Sequence, residues 1–266
     1  VRAAHGANYL RGKTYVMFGG RSLGMYTGMI DELEWRNKFG IEVESAEQMD
    51  IVERAKQLDS DRVEKFYSWM LGTFGGIEVE KEVMDRSIRL HLAIKEFMTE
   101  NKYEYCGIKC LTELPANYAS ACVAHSFLND GVDAEGEFGP FICGCECDNN
   151  GALSMILLNA VSDKKVCYAD VRHLNRDGQL ILCNCGSQAT VFANDPKDVI
   201  WMPQAKINGP GACSTYVCKP GDMTLIRMSR INGKYHMLMF RGTAKAVSPE
   251  LPKETSGHTW VWPHAY

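Results

Sequence analysis

Thr14-Tyr15-Val16-Met17-Phe18-Gly19-Gly20-Arg21-Ser22-Leu23-Gly24 decides the fold: a short apolar run stops at two glycines and passes into a tight turn. That pattern reads as a buried strand with a turn at its carboxyl end. Working outward, Ile41 to Glu44, Tyr105 to Lys109 and Phe141 to Cys145 are three more short apolar runs. Between them the period lengthens. Ala46 to Leu71 and Val79 to Met98 read as long helices; in the second, Met84, Ile88 and Leu92 recur at four-residue spacing while Lys81, Asp85 and Arg89 face elsewhere. Strands alternating with helices predict an α/β domain, a Rossmann-like parallel sheet flanked by helices.

A further helix is expected from Gly151, and beyond it the character changes. Val166 to Val171, Gln179 to Cys185, Cys213 to Cys218, Met223 to Ser229 and Tyr235 to Phe240 are short strand-like runs with no long helical period between them. Asn232-Gly233 separates the last two, and both residues accept the positive φ of a two-residue hairpin turn. The expected organisation is therefore an α/β domain over 1–161 and a mainly antiparallel β domain over 162–266.

The chain has 266 residues with 29 Lys+Arg against 33 Asp+Glu, a formal net charge of −4, which gives no electrostatic reason to expect a nucleic acid or an anionic membrane as partner. With 45% hydrophobic and 23% charged residues the composition is that of a globular protein, against disorder or a coiled coil. The longest uncharged stretch, Gly178 to Asn194, is interrupted by polar residues and falls short of the roughly 20 apolar residues of a membrane span. No cationic stretch precedes an apolar one at the amino end, so no signal peptide is expected. The start at Val1 and the aromatic run before Tyr266 read as cuts in a larger protein. Eleven cysteines, an odd number in a long chain, read as reduced cytosolic thiols that pack as small apolar side chains. A metal or iron–sulfur site from Cys143, Cys145, Cys147, Cys183 and Cys185 is the alternative. No C-x2-C knuckle supports it, and C-x-C on a strand only puts sulfurs on one face.

Two constellations could carry chemistry. Gly20-Arg21-Ser22-Leu23-Gly24 fits the G-x-S-x-G elbow of serine hydrolases, with Asp170 and His236 or His258 available as partners. The plainer reading, a glycine turn whose amides face a pocket at the strand ends, is preferred. The second is the pair Glu146 and Asp170, both expected where strands run out and within a few ångströms of each other on adjacent strands. Two hard oxygen ligands suit Mn²⁺ or Mg²⁺, and such a pair could move a proton between neighbouring sugar carbons. The competing reading is solvated or capping acids, with Asp148 or Asn149 capping the next helix. His5, His91 and His125 read as packing residues. His173, His258 and His264 are better placed as polar groups in a pocket, with Trp260 and Trp262 offering flat apolar faces.

Taken together, Gly19 to Met25 followed by Trp35 and Phe39-Gly40-Ile41, Glu146 before Asn150-Gly151-Ala152, Ala169-Asp170-Val171-Arg172, and Asn184-Cys185-Gly186-Ser187 resemble, in that order, the L-fucose isomerase family, with its D-arabinose isomerases and more distant L-arabinose relatives. The resemblance implies a Mn²⁺-dependent, cytoplasmic aldose–ketose isomerase working through an enediol. It assigns Glu146 and Asp170 as metal ligands and acid/base pair, Ser187 as a substrate contact, and Met25 and Trp260 as lining the sugar site. It also implies a small sugar as substrate and assembly as a homo-oligomer, a trimer or hexamer. Three departures stand out. The chain resembles the second α/β domain onward, without the first domain, and the fragment alone is expected to be weakly active or inactive because two metal ligands leave the ion underheld. The family's third ligand, a histidine in an Asn-His segment, has no matching segment, His258 and His264 being the nearest histidines. A glutamine the family places after the Tyr105 to Lys109 strand is here Cys110 or Leu111. A sugar-binding relative without catalysis is the non-enzymatic alternative.

Overall fold

The computed structural model describes residues 1–139, 141–174, 176–204 and 209–246. A parallel sheet of Glu42–Ala46, Thr14–Phe18, Tyr105–Ile108 and Ile142–Gly144, in that spatial order, forms its centre. Side chains alternate across it. Val16, Phe18, Cys106, Ile108 and Cys143 face the helices Gln48–Gln57, Lys81–Asn101 and Cys122–Asp130. Tyr15, Tyr105 and Ile142 face Arg2–Leu10 and Asn149–Ser162 on the other side. Three of the strands are apolar and mainly buried, as a sheet covered on both faces needs, while Glu42–Ala46 at one edge is partly exposed. The α/β expectation holds for this part.

The stretch from Ala46 to Leu71 is two helices, because Leu58 turns extended and the Asp59 side chain accepts from the Asp61 amide to start Ser60–Thr73. The helix after Gly144 starts at Asn149, with Asp148 as its cap. In the second part the hairpin Asp170–Leu174 with Leu180–Cys183 and the long hairpin Gly221–Ile231 with Lys234–Ala244 are antiparallel, and Asn232 and Gly233 take the expected positive φ of 50° and 73°. The long hairpin lies on Asn149–Ser162, where the Met228 amide donates to Ser154 Oγ at 2.8 Å. A third sheet, Ala212–Thr215, Ile200–Pro203 and Gly76–Ile77, crosses the two parts of the chain. Trp201 packs there against Phe74 and Phe127, with ring centroids 5.5 and 5.3 Å apart. Among the described residues no helix is long and apolar enough to cross a membrane.

One contact within the central sheet has a measurable cost. Tyr15 runs over Gly107 so that its hydroxyl reaches Asn149 Oδ1 at 2.5 Å, and a Cβ on residue 107 would overlap that hydroxyl. Gly107→Ala should therefore lower stability by about 2 to 3 kcal/mol, the scale of overpacking in a full core. Urea unfolding checks this.

Candidate active site

The site grows from the end of the Ile142–Gly144 strand. Gly144 packs so closely on Ala152 that a Cβ would sit 2.7 Å from the Ala152 methyl, and the strand stops there. His125 braces the stop from the other side, with its two ring nitrogens 2.8 Å from Ala121 O and 3.2 Å from Gly144 O. Burial pulls this imidazole down to about 4, so it is neutral and one nitrogen donates. Cys145–Cys147 then form one 3-10 turn in which Glu146 and Cys147 take φ of 56° and 54°. Each non-glycine residue in that region costs about 1 kcal/mol, and strain of this kind concentrates at functional sites. Here it swings the Glu146 carboxylate off the line of the strand.

Glu146 is half-buried, and burial first, then the charges of Asp170 and Asp148, push its carboxyl up to about 7. Its two acidic neighbours differ in kind. Asp170 opens the strand Asp170–Leu174 rather than closing one, in a separate two-stranded sheet, and its side chain is exposed. The carboxylates are therefore neighbours across two sheets, not on adjacent strands as expected. Asp148 is held by four donors: the Gly151 amide at 3.1 Å, Tyr168 Oη at 2.9 Å, Arg227 Nη2 at 3.1 Å and Arg227 Nη1. Its lone pairs are committed, so it is a structural carboxylate. Only glycine fits at 151, because a Cβ would lie 2.6 Å from the Tyr168 ring and 2.7 Å from Asp148 Oδ2.

Opposite the strand end, Asn184 Oδ1 accepts from the Gly186 amide at 2.9 Å and from the Ser187 amide and hydroxyl at 2.7 and 2.8 Å. This turn follows Cys183, the register partner of Asp170, and so brings Ser187 to the Asp170 side of the site. Ser187 is buried. The loop from Gly19 to Met29 is clipped on by Asn149 Nδ2 donating to Gly28 O at 2.9 Å and Asn150 Nδ2 donating to Met29 O at 3.2 Å. Met25, half-buried, leads into the Tyr26–Gly28 turn of that loop. Trp260, Trp262, His258 and His264 lie outside the described residues. His173 is exposed, while His91 is buried and bonded through Nε2 to Asp133 Oδ2 at 2.7 Å, a packing role as expected.

Ser22 does not form a nucleophile elbow. Its hydroxyl is fully buried and donates to Leu111 O at 3.1 Å, and a single 3-10 turn follows instead of a helix. A fluorophosphonate probe should leave Ser22 unlabelled, as mass spectrometry of the treated protein would show.

None of the eleven cysteines is in a disulfide, and two small groups of them lie near the site. Cys106 and Cys143 are register partners with Cys147 beside them, and burial pushes the Cys147 thiol up to about 12. Cys145 leaves that face because the strand has already ended. Its Sγ lies 3.8 Å from Cys185 Sγ, and both sulfurs lie within 4.8 Å of a Glu146 oxygen. The sequence offered Cys145 and Cys185 as ligands of one alternative thiolate site but not with Glu146, and it missed Tyr168 and Arg227, because the partners come from elements far apart in the chain. The charge of Asp170 helps raise the half-buried Glu146 carboxyl, and a divalent cation shared by the two would relieve that repulsion.

No family model matches the chain. It is 25% identical over 244 residues to a sulfoquinovose isomerase of Alkalicoccus urumqiensis, a match covering 89% of this chain and 51% of that protein. Sulfoquinovose isomerases of Priestia aryabhattai and Priestia megaterium are 22% identical over 175 residues, covering 64% of this chain and 36% of theirs. The chain thus spans about half the length, or less, of the curated relatives it matches.

Proposed function

We propose that the protein is an aldose–ketose isomerase in which Glu146 and Asp170 hold a divalent cation, Mn²⁺ by resemblance, and transfer a proton between neighbouring sugar carbons. The observation that carries the reading is the Glu146 carboxyl, strained into a left-handed turn and pushed up to about 7. Without a cation the carboxyl is held back from ionising; a bound cation would favour the carboxylate, which would then take a proton from one carbon as a base and return it to the next. A bound cation would acidify the C–H between two substrate oxygens. Asp148, neutralised by Arg227, holds the helix start and so the Glu146 turn, while Ser187 and Met25 flank the site as sugar contacts. Relatives named as sugar isomerases support the reaction class.

Within that class the resemblance favours L-fucose or D-arabinose, and the relatives' name points to a sulfo sugar. A sulfo group carries a fixed negative charge and needs a cation near it. Arg21 has no carboxylate partner among the described residues; it lies over the Tyr26 ring at 4.7 Å, with Nη1 3.4 Å from Met29 Sδ, on the loop at the same end of the sheet as Glu146. Arg21→Ala should raise KM about 10-fold or more for a sulfo sugar and change KM for L-fucose little, from steady-state kinetics with Mn²⁺. The cysteines, none in a disulfide, fit a reducing, cytoplasmic setting. Assembly as a trimer or hexamer belongs to the same proposal. Assaying ketose formation by the full-length protein from L-fucose, D-arabinose and a sulfo sugar tests the reading, and absence of turnover by that protein on every aldose refutes it.

A further inference from the structure

The Cys145, Cys185 and Glu146 triad has a geometry that packing alone does not require. Two thiolates bound to one tetrahedral cation at about 2.3 Å each stand about 3.8 Å apart. The Cys145 and Cys185 sulfurs are separated by 3.8 Å, and a carboxylate oxygen completes a triangle with no edge above 4.8 Å. Cys122 approaches from the first turn of its helix, next to the Cys185 thiol, and Gln204 Nε2 donates to Cys122 Sγ at 3.4 Å and to Cys185 O. Sulfur donors of this kind select soft cations over Mg²⁺ or Mn²⁺.

We infer that Cys145, Cys185 and Glu146 form a binding site for a thiophilic divalent cation, Zn²⁺ or Cd²⁺, distinct in donor set from the carboxylate pair but sharing Glu146 with it. Binding forms two metal–sulfur bonds and releases the two S–H protons to solvent. An occupied triad takes Glu146 out of proton transfer, so the soft cation inhibits and Mn²⁺ competes with it. The inhibitory consequence rests on the isomerase reading; the binding site does not.

Cd²⁺ titration of the chain, followed by the ultraviolet thiolate-to-cadmium charge-transfer band, tests the site. The expected result is one Cd²⁺ per chain, with Cys145→Ser and Cys185→Ser each weakening binding at least 10-fold and reducing the band. Cys106→Ala, in the other thiol group, should leave both unchanged, and Glu146→Gln should weaken binding about 10-fold while keeping the band. Cys145→Ala and thermal melts guard against a variant that fails to fold. A band that survives the Cys145→Ser/Cys185→Ser double variant, or no band in the natively folded chain at stoichiometric Cd²⁺, overturns the inference. Cadmium binding as described, with no isomerase activity in the full-length protein, sinks the isomerase reading and leaves the site standing. Isomerase activity without a cadmium–thiolate band does the reverse.

Discussion

Glu146→Gln is expected to lower isomerase turnover by about 10³-fold while leaving the fold intact, the scale of losing a positioned acid/base group. The amide keeps the size of the side chain but neither takes a proton nor carries the charge that a cation needs. The same substitution should have an opposite effect on the stability of the metal-free protein. The folded-state value of Glu146 is raised from 4.5 to about 7. A raised carboxyl contributes its full stability below the unfolded value and loses it as pH rises through the folded one. The metal-free wild type should therefore weaken between about pH 4.5 and pH 7, and Glu146→Gln should not. By pH 8 the variant should be the more stable of the two by about 2 to 3 kcal/mol, with the difference vanishing near pH 4. Urea melts in chelator across that range read the effect; a wild type at least as stable as the variant at pH 8 contradicts it. Removing the residue would then improve the fold and destroy the reaction, as expected of a group held for chemistry.

Arg227→Met should produce the largest loss of stability among the polar changes around the site. Asp148 is only 6% exposed in its side chain and takes both guanidinium nitrogens of Arg227. Breaking a fully buried pair by removing one partner costs about 3 to 5 kcal/mol. Arg227 is one-third exposed, so water offsets part of the loss and about 2 to 3 kcal/mol is expected. The uncompensated Asp148 charge should also hold the Glu146 proton more tightly, moving the acidic limb of the rate profile upward. Adding Asp148→Asn should recover much of the stability, because asparagine still caps the helix and leaves no charge unpaired. An Arg227→Met protein within 0.5 kcal/mol of wild type, a margin expected of a surface change, would contradict this account.

The inner strands of the parallel sheet were legible because buried strands must be short, apolar and stopped by turn residues, and Thr14 to Gly20 meets all three conditions; the edge strand Glu42–Ala46, half polar, was marked mainly by Ile41 and Val43. The Asn232-Gly233 turn was legible for a similar local reason. The break at Leu58-Asp59 was harder to see, since the apolar period runs straight through it and only the Asp59 cap marks it. At the site, Glu146 and Asp170 could be named from order and residue type. What could not be read was how they meet: Asp170 begins a strand of another sheet, and Glu146 points where it does because two residues after Gly144 turn left-handed. The Arg227 tie to Asp148, 79 residues away in sequence, left no local trace. Cys145 and Cys185 could be named as thiols of one alternative metal site, but not their meeting with Glu146, which depends on the strand ending one residue before Cys145.

The most direct test of proton transfer by Glu146 is isomerisation in deuterium oxide with Mn²⁺, following the aldose and ketose by proton NMR. The wild type should incorporate solvent deuterium at the carbon that exchanges its proton, and Glu146→Gln should show neither incorporation nor ketose. Ketose formation that persists undiminished in Glu146→Gln would contradict it.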